Sequence, residues 1–337
     1  MPIDLAATGA VPTGLSGQYV RVSESMVHAV RLAAGRAPSY RNRSIPTDAT
    51  AVVAFGSSIL AFGDGQLAHE LDPGLDTMRR VDLAGAQRTL TGHPKIDTNT
   101  GELHLLTFMS DPAQLHVRVS PGGLTRTIRS LDDAPSRIRE LELTRDHVVL
   151  LADGFLGLTD RTGLGTKTRW FPIDTDARQL AAAHEDGETV VVYTAGPSLA
   201  RWTLHPRATV AHSQVLDATR QRFASSNSRR PGASHRFLWT VGSGAVHKHD
   251  LLAGSRRSHE FSGGRQPGEH VFVADADRGG TEDGGWLVGS IHNETNRQTD
   301  FVVLDAHAIE RPAVVLAHVP RRIPRGGHGA WIPTVQI

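Results

Sequence analysis

GHPKIDTNTGELHLLTF, residues 92–108, is the most informative stretch of this chain. It sets His93 at the mouth of a turn, follows it with a Gly-Glu pair, and then runs into alternating apolar residues of strand length. The same grammar recurs along the chain. TAVVAFGSSILAF (50–62) reads as two strands joined at Gly-Ser-Ser, and LHVRVSPGGLTRTIRS (115–130) as a hairpin with Pro-Gly-Gly at its tip. LELTRDHVVLLADG (141–154), ETVVVYTAG (188–196), HRFLWTVGSGAVHKHDLLAG (235–254), GGWLVGSIHNE (284–294) and DFVVLDAHAI (300–309) repeat the pattern. A helical spacing holds for a turn or two only near ARQLAAAHE (177–185).

With 34 glycines and 18 prolines punctuating short runs, the chain is expected to be all-β, as a propeller or a large sandwich. A propeller blade takes roughly 40–50 residues, so 337 residues suit seven compact four-stranded blades. No linker rich in Pro, Gly and Ser breaks the sequence, and a single domain over residues 1–337 is expected.

Composition narrows the function. A formal net charge of +1 supplies no field for nucleic acid or an anionic membrane. The absence of cysteine excludes disulfides, thiolate metal sites and a cysteine nucleophile. No leader pattern opens the chain and no run of about 18 apolar residues occurs, so a soluble, cytoplasmic protein without an integral membrane segment is expected. There is no P-loop, dinucleotide fingerprint or nucleophile elbow. The 18 histidines are read mostly as surface residues, His247 and His249 of VHKHD (246–250) included. The basic clusters SNSRRPG (226–232) and PRRIPRGG (320–327) are read as solvated loops.

Five stretches occurring in order carry a family resemblance: SMVHAVRLAAGRAPSYRNRSIPTD (25–48), HELDPGLDTMRRVDLAG (69–85), GHPKIDTNTGEL (92–103), PGEHVFVADAD (267–277) and IPRGGHGAWIP (323–333). Together they resemble the carotenoid cleavage oxygenases, seven-bladed propellers that split conjugated alkenes with O2. The resemblance runs from about residue 15 to 333 and implies a propeller whose axis would carry Fe(II) on four histidines oriented by glutamates.

Set against that ligand pattern, His93 and His328 fill the first and fourth histidine positions. In RELELT (139–144), Arg139 stands at the second position, and in QLAAAHEDGE (179–188), Gln179 stands at the third. Among the orienting carboxylates Glu269 is retained, Asp64 shortens one and Arg222 replaces another. Neither His147 nor His184 substitutes: His147 lies ~26 Å along a strand from position 139, and His184 sits at an odd offset from Gln179. A guanidinium offers no lone pair and brings a positive charge, so no metal is expected on the axis, with His93 and His328 the only candidate ligands. Arg139 is read as turned inward and paired with Glu269 or Asp64, the alternative being a solvated loop arginine.

The loop that the family carries between GQYVRV (17–22) and SMVH (25–28) is missing, which implies a reduced lid over the axial face. The expected function is therefore a metal-independent cyclase, isomerase or lyase. It would act on a hydrophobic polyene, terpenoid or polyketide-like molecule, through His93, His328, Glu269 and Arg139, with Asp64, Gln179 and Arg222 around them. The alternatives are an Fe2+-dependent dioxygenase with an altered ligand set, and a non-catalytic binder on the same scaffold.

Overall fold

A computed structural model describes the chain apart from residues 1, 47, 64–65, 84–88, 91–93, 109–113, 122–125, 132, 163–166, 228–231 and 335–337. The described strands assemble into seven antiparallel sheets of four or five strands, each a blade of a β-propeller. Blade one runs from Ala51–Phe55 to Met78–Val81, and blade two from Thr89–Leu90 to Arg126–Ser130. Blade three spans Ile138–Leu143 to Arg169–Pro172, blade four Gln179–Asp186 to His212–Asp217, and blade five Arg222–Ser225 to Ser255–Glu260. Blade six runs from Arg265–Ala274 to Val315–Val319.

Blade seven joins the two ends of the chain. The C-terminal strand Gly329–Pro333 pairs antiparallel with Gly17–Ser23, setting Tyr19 opposite Trp331. Two further N-terminal strands reinforce the ring: Ala7–Gly9 adds to the outer edge of blade six, and Ile3–Asp4 to the outer edge of blade seven. Closing the ring in this way removes the exposed inner edges that an open array of blades would present.

Core runs such as His147–Ala152 are apolar at nearly every position because each blade is covered on both faces by its neighbours. Val149, Leu151 and Phe171 of blade three pack into one cluster with Val190, Val192 and Trp202 of blade four. Trp239 of blade five stacks on Phe272 of blade six at 4.6 Å between ring centroids. Burial of each such side chain contributes about 1.5–3 kcal/mol, summed at every blade interface.

The expected joint in residues 50–62 is observed, with strands Ala51–Phe55 and Ser58–Phe62 in antiparallel register. The helical spacing near 177–185 is overridden: Gln179–Asp186 is the inner strand of blade four, because pairing with Thr189–Ala195 buries Leu180 to His184 on a sheet. Among the described residues the one helical element is a short 3-10 turn at Ala276–Arg278.

The histidines depart from expectation as well. Among the described residues ten are buried, among them His28, His104, His249, His270 and His292. His247 and His249 are not surface residues. Their strand Ala245–Asp250 is the third of blade five, yet the rings lie inside, with His249 Nε2 2.8 Å from Thr240 Oγ1 and His247 Nδ1 2.8 Å from Ser258 Oγ.

Candidate active site on the propeller axis

The inner strands of all seven blades contribute to one cavity of about 650 Å³. Its wall is apolar over Ala51–Val53, Val271–Ala274 and Trp331, and polar where Lys95, Glu140, Gln179, Glu269 and His328 face inward. That volume suits a small organic ligand, which such sites enclose in an apolar wall with a few convergent polar groups.

The polar side chains staple successive blades together. Lys95 Nζ of blade two lies 2.9 Å from Glu142 Oε2 of blade three. Glu140 Oε2 of blade three accepts the Leu180 backbone N–H of blade four at 2.6 Å. Gln179 Oε1 of blade four accepts the Ala224 N–H of blade five at 3.2 Å. Ser225 Oγ of blade five accepts the Phe272 N–H of blade six at 3.0 Å. Glu269 of blade six holds the closing strand, with Oε1 3.1 Å from His328 Nδ1 and Oε2 accepting the Gly329 N–H at 2.6 Å. The His328 N–H then donates to the Thr50 carbonyl at the start of blade one, at 2.6 Å.

Local backbone chemistry aims His328. Gly326 and Gly327 precede it with φ of 98° and 71°, and a Cβ on Gly327 would lie 2.1 Å from the Val22 carbonyl oxygen. Only glycine tolerates that turn, which delivers the ring to the cavity. On the facing strand, Phe223 adopts a φ of 51° beside a register shift, and its ring meets the His328 ring edge-on at 5.5 Å.

Charge separates the roles of these groups. Burial, which dominates, raises Glu140 to a pKa of about 7, opposed by the Leu180 N–H, Lys95 and His328. Burial disfavours protonation of His328, but the Glu269 carboxylate and Glu140 outweigh it and hold the imidazole above its usual pKa. Glu269 is itself pushed up by burial, and more strongly down by His328 and the Gly329 N–H, so it stays ionised at neutral pH. The cavity thus holds a carboxyl group raised to about 7, an imidazole raised above its usual value and one carboxylate that stays ionised.

The sequence candidates sort as follows. His328, Glu269 and Gln179 meet on the axis. Arg139 does not turn inward: it is exposed and grips Asp153 with two bonds, Nε to Oδ1 at 2.5 Å and Nη2 to Oδ2 at 3.0 Å. A register shift between Ile138 and Glu140 turns the side chain at 139 out of the strand. Glu140, next in the chain, faces the cavity instead, and neither it nor Lys95 was among the sequence candidates. The β-strand alternation that would have pointed to Glu140 is broken by the bulge itself. Arg222 is exposed, stacked over Phe223 with its guanidinium carbon 5.6 Å from the ring centre. His93 and Asp64 lie outside the described residues.

The donor set does not fit iron held by four imidazoles. Position 139 supplies a cation directed to solvent, Gln179 Oε1 is already engaged by a backbone N–H, and His328 is the one described imidazole at the four positions. Among the described residues no group of three His, Asp or Glu side chains is arranged to hold a metal ion. Nor does any helix among them have the length and apolarity to cross a membrane.

A ring of seven antiparallel blades with polar groups converging on an axial cavity defines the architectural class. The sequence model of the retinal pigment epithelial membrane protein matches residues 24–176 and 166–333, and the chain belongs to that carotenoid-cleavage-oxygenase family. It is 24% identical to a carotenoid cleavage oxygenase of Mycobacterium tuberculosis, covering 98% of this chain and 94% of that protein. That alignment spans 475 positions against 337 residues here, so the relative carries segments this chain lacks. Among solved structures, a lignostilbene dioxygenase of Pseudomonas brassicacearum superposes with a TM-score of 0.88 at 17% identity, over 99% of this chain and 96% of that one. An apocarotenoid oxygenase variant of Synechocystis gives 0.87 at 17% identity with the same coverage.

Proposed function

We propose that the axial cavity carries out non-oxidative acid–base chemistry on a hydrophobic small molecule of polyene, terpenoid or polyketide-like character. Glu140 is the observation that carries this reading: a buried carboxyl group on the cavity wall with a pKa of about 7, in the electrostatic field of a protonatable His328. A cyclisation, isomerisation or elimination needs a proton delivered at one atom and removed at another. His328, its Nδ1 directed at Glu269, is the acid, and Glu140 in its ionised form is the base. Glu269 keeps the imidazole oriented and charged without itself exchanging a proton.

Arg139 has no part in this scheme, because its guanidinium is committed to Asp153 at the surface. The relatives named as oxygenases point to descent from alkene chemistry, and the apolar wall of the cavity supports a hydrophobic substrate.

The test is an anaerobic incubation of the protein with a conjugated polyene in the presence of chelator, with products separated by chromatography. Isomerised or cyclised product is expected, and Glu140→Gln or His328→Ala should each lower its rate by about 10²-fold or more. Cleaved carbonyl products that form only with O2 and iron would replace this reading with a dioxygenase. Unchanged rates in both variants would move the active site elsewhere.

A further inference from the structure

Beside the axial cavity lies a second pocket of about 490 Å³ that the acid–base scheme does not use. Four arginines line it, Arg220, Arg222, Arg256 and Arg325, together with His247 and Gln266, and no Asp or Glu is among its described lining residues. Arg256 and Arg325 are already paired, with Asp217 at 2.8 Å and with Glu294. Among the described residues no carboxylate lies within ion-pair distance of Arg220 or Arg222. Although the residue is exposed overall, partial desolvation of its guanidinium in the pocket, with the neighbouring Arg325 and Arg220, lowers the pKa of Arg222.

The Phe223 ring touches both the pocket's Arg222 and the axial His328. The Arg222 guanidinium carbon stands 5.6 Å from the Phe223 ring centre, and that ring stands 5.5 Å from the His328 ring, so the guanidinium lies within about 11 Å of the imidazole. Ala224, two residues further, is on the wall of the axial cavity, and Arg325 precedes His328 by three residues. Phe223 is the hinge of this arrangement. Its left-handed backbone and the register shift from Arg222 to Ser225 put the ring against His328 and leave Arg222 exposed on the other pocket. A strained, bulged strand that re-aims a side chain in this way is a feature of functional sites.

We infer that this arginine pocket holds an anionic group, a carboxylate or a phosphate, at one end of the substrate whose apolar body enters the axial cavity. The inference deepens the proposed function and rests on it for the cavity, but the anion site stands on its own geometry. Guanidinium groups bind carboxylate and phosphate oxygens through paired N–H donors, and two arginines with no carboxylate partner among the described residues, set in a concave pocket, favour a small anion over a flat surface. A separation of no more than about 11 Å orders the substrate: anionic end at Arg220 and Arg222, reacting carbons beside His328 and Glu140.

The experiment follows quenching of tryptophan fluorescence, to which Trp331 on the cavity wall contributes, during titration with a polyene carboxylic acid and with its methyl ester. A parallel titration uses inorganic pyrophosphate, read by calorimetry. In the unmodified protein the acid should bind about 10-fold or more tightly than the ester, the advantage expected of charge-assisted hydrogen bonds. Arg222→Gln should bring the acid down to the ester while leaving the ester unchanged. Arg222→Lys, which keeps the charge, should retain part of the preference, and Arg220→Gln supplies a second reading should Arg222→Gln fold poorly. Pyrophosphate that binds and displaces the acid assigns the pocket to phosphates as well, and pyrophosphate that does not leaves it to carboxylates. Equal affinities for acid and ester in the unmodified protein, with no pyrophosphate binding, overturn the anion site while leaving the cavity reading intact. Pyrophosphate bound through Arg222 with neither polyene bound upholds the anion site and removes the cavity reading. If none of the three ligands binds, the anion site is overturned.

Discussion

Glu269 and His328 lie on neighbouring blades and meet through one bond, Oε1 to Nδ1 at 3.1 Å, while the other carboxylate oxygen takes the N–H of the following residue, Gly329. One side chain thus closes the ring and sets the charge of the axial imidazole. Glu269→Gln removes the anion that opposes burial, so the His328 pKa should fall from above its ordinary value to below it. A histidine with a raised folded pKa adds stability below the unfolded pKa and loses it as pH rises through the folded value. The variant should therefore be less stable by about 1–3 kcal/mol at pH 6, and by less at pH 9. Titration of the His328 ring by NMR, with denaturant melts at both pH values, checks this. An unmoved ring pKa would show that Glu269 does not control it.

Glu140 gives a linkage of the same sign, with the charge states reversed. Its folded pKa of about 7 lies above that of an exposed glutamate, so the native state holds a proton that the unfolded chain releases. Its contribution is present at low pH and is lost as pH rises from about 4.5 through 7. Glu140→Gln should raise the melting temperature at pH 8 by a few degrees, because a few kcal/mol are set against the large unfolding entropy of a chain this long. At pH 4 the melting temperature should not change. The glutamine oxygen can still accept the Leu180 N–H. Equal changes at both pH values would show that the carboxyl group does not titrate as described.

The buried histidines predict acid lability. Burial is the main cause that brings His28, His249 and His270 to about 4, and His104 and His292 to about 3. Between those values and about 6.5 the unfolded chain binds more protons than the native one, so stability falls as pH drops through that interval. A tenfold difference in proton affinity between the two states corresponds to about 1.4 kcal/mol. The urea midpoint should decline steeply from pH 6.5 to pH 4, and a flat midpoint over that range would contradict neutral histidines in the core.

Metal content is the fourth expectation. With Arg139 directed at Asp153 and Gln179 engaged by Ala224, protein purified with added iron should carry well under one equivalent, and chelator should not shift its melting temperature. Stoichiometric iron, lost together with stability on chelation, would require a ligand set other than the four family positions.

The architecture and the outline of the site are legible in the order of the residues. Short alternating runs between Gly and Pro turns imply strands wherever they occur, because the period of two is a local property, and residues 50–62 fold as that pattern requires. The order of the five motifs likewise led to the family, and to Glu269 and His328 on the axis. Which polar side chains share the cavity is a matter of packing. A single-residue register shift at 138–140 sends Arg139 to solvent and Glu140 inward, and no reading of spacing along one strand detects a bulge that depends on pairing with the next. The burial of His247 and His249 is of the same kind. Their strand is third from the axis, but the faces of a blade are covered by neighbouring blades, so its position within the sheet does not set its exposure. Local pattern chose the strands, and long-range packing chose which faces, charges and protons they bring together.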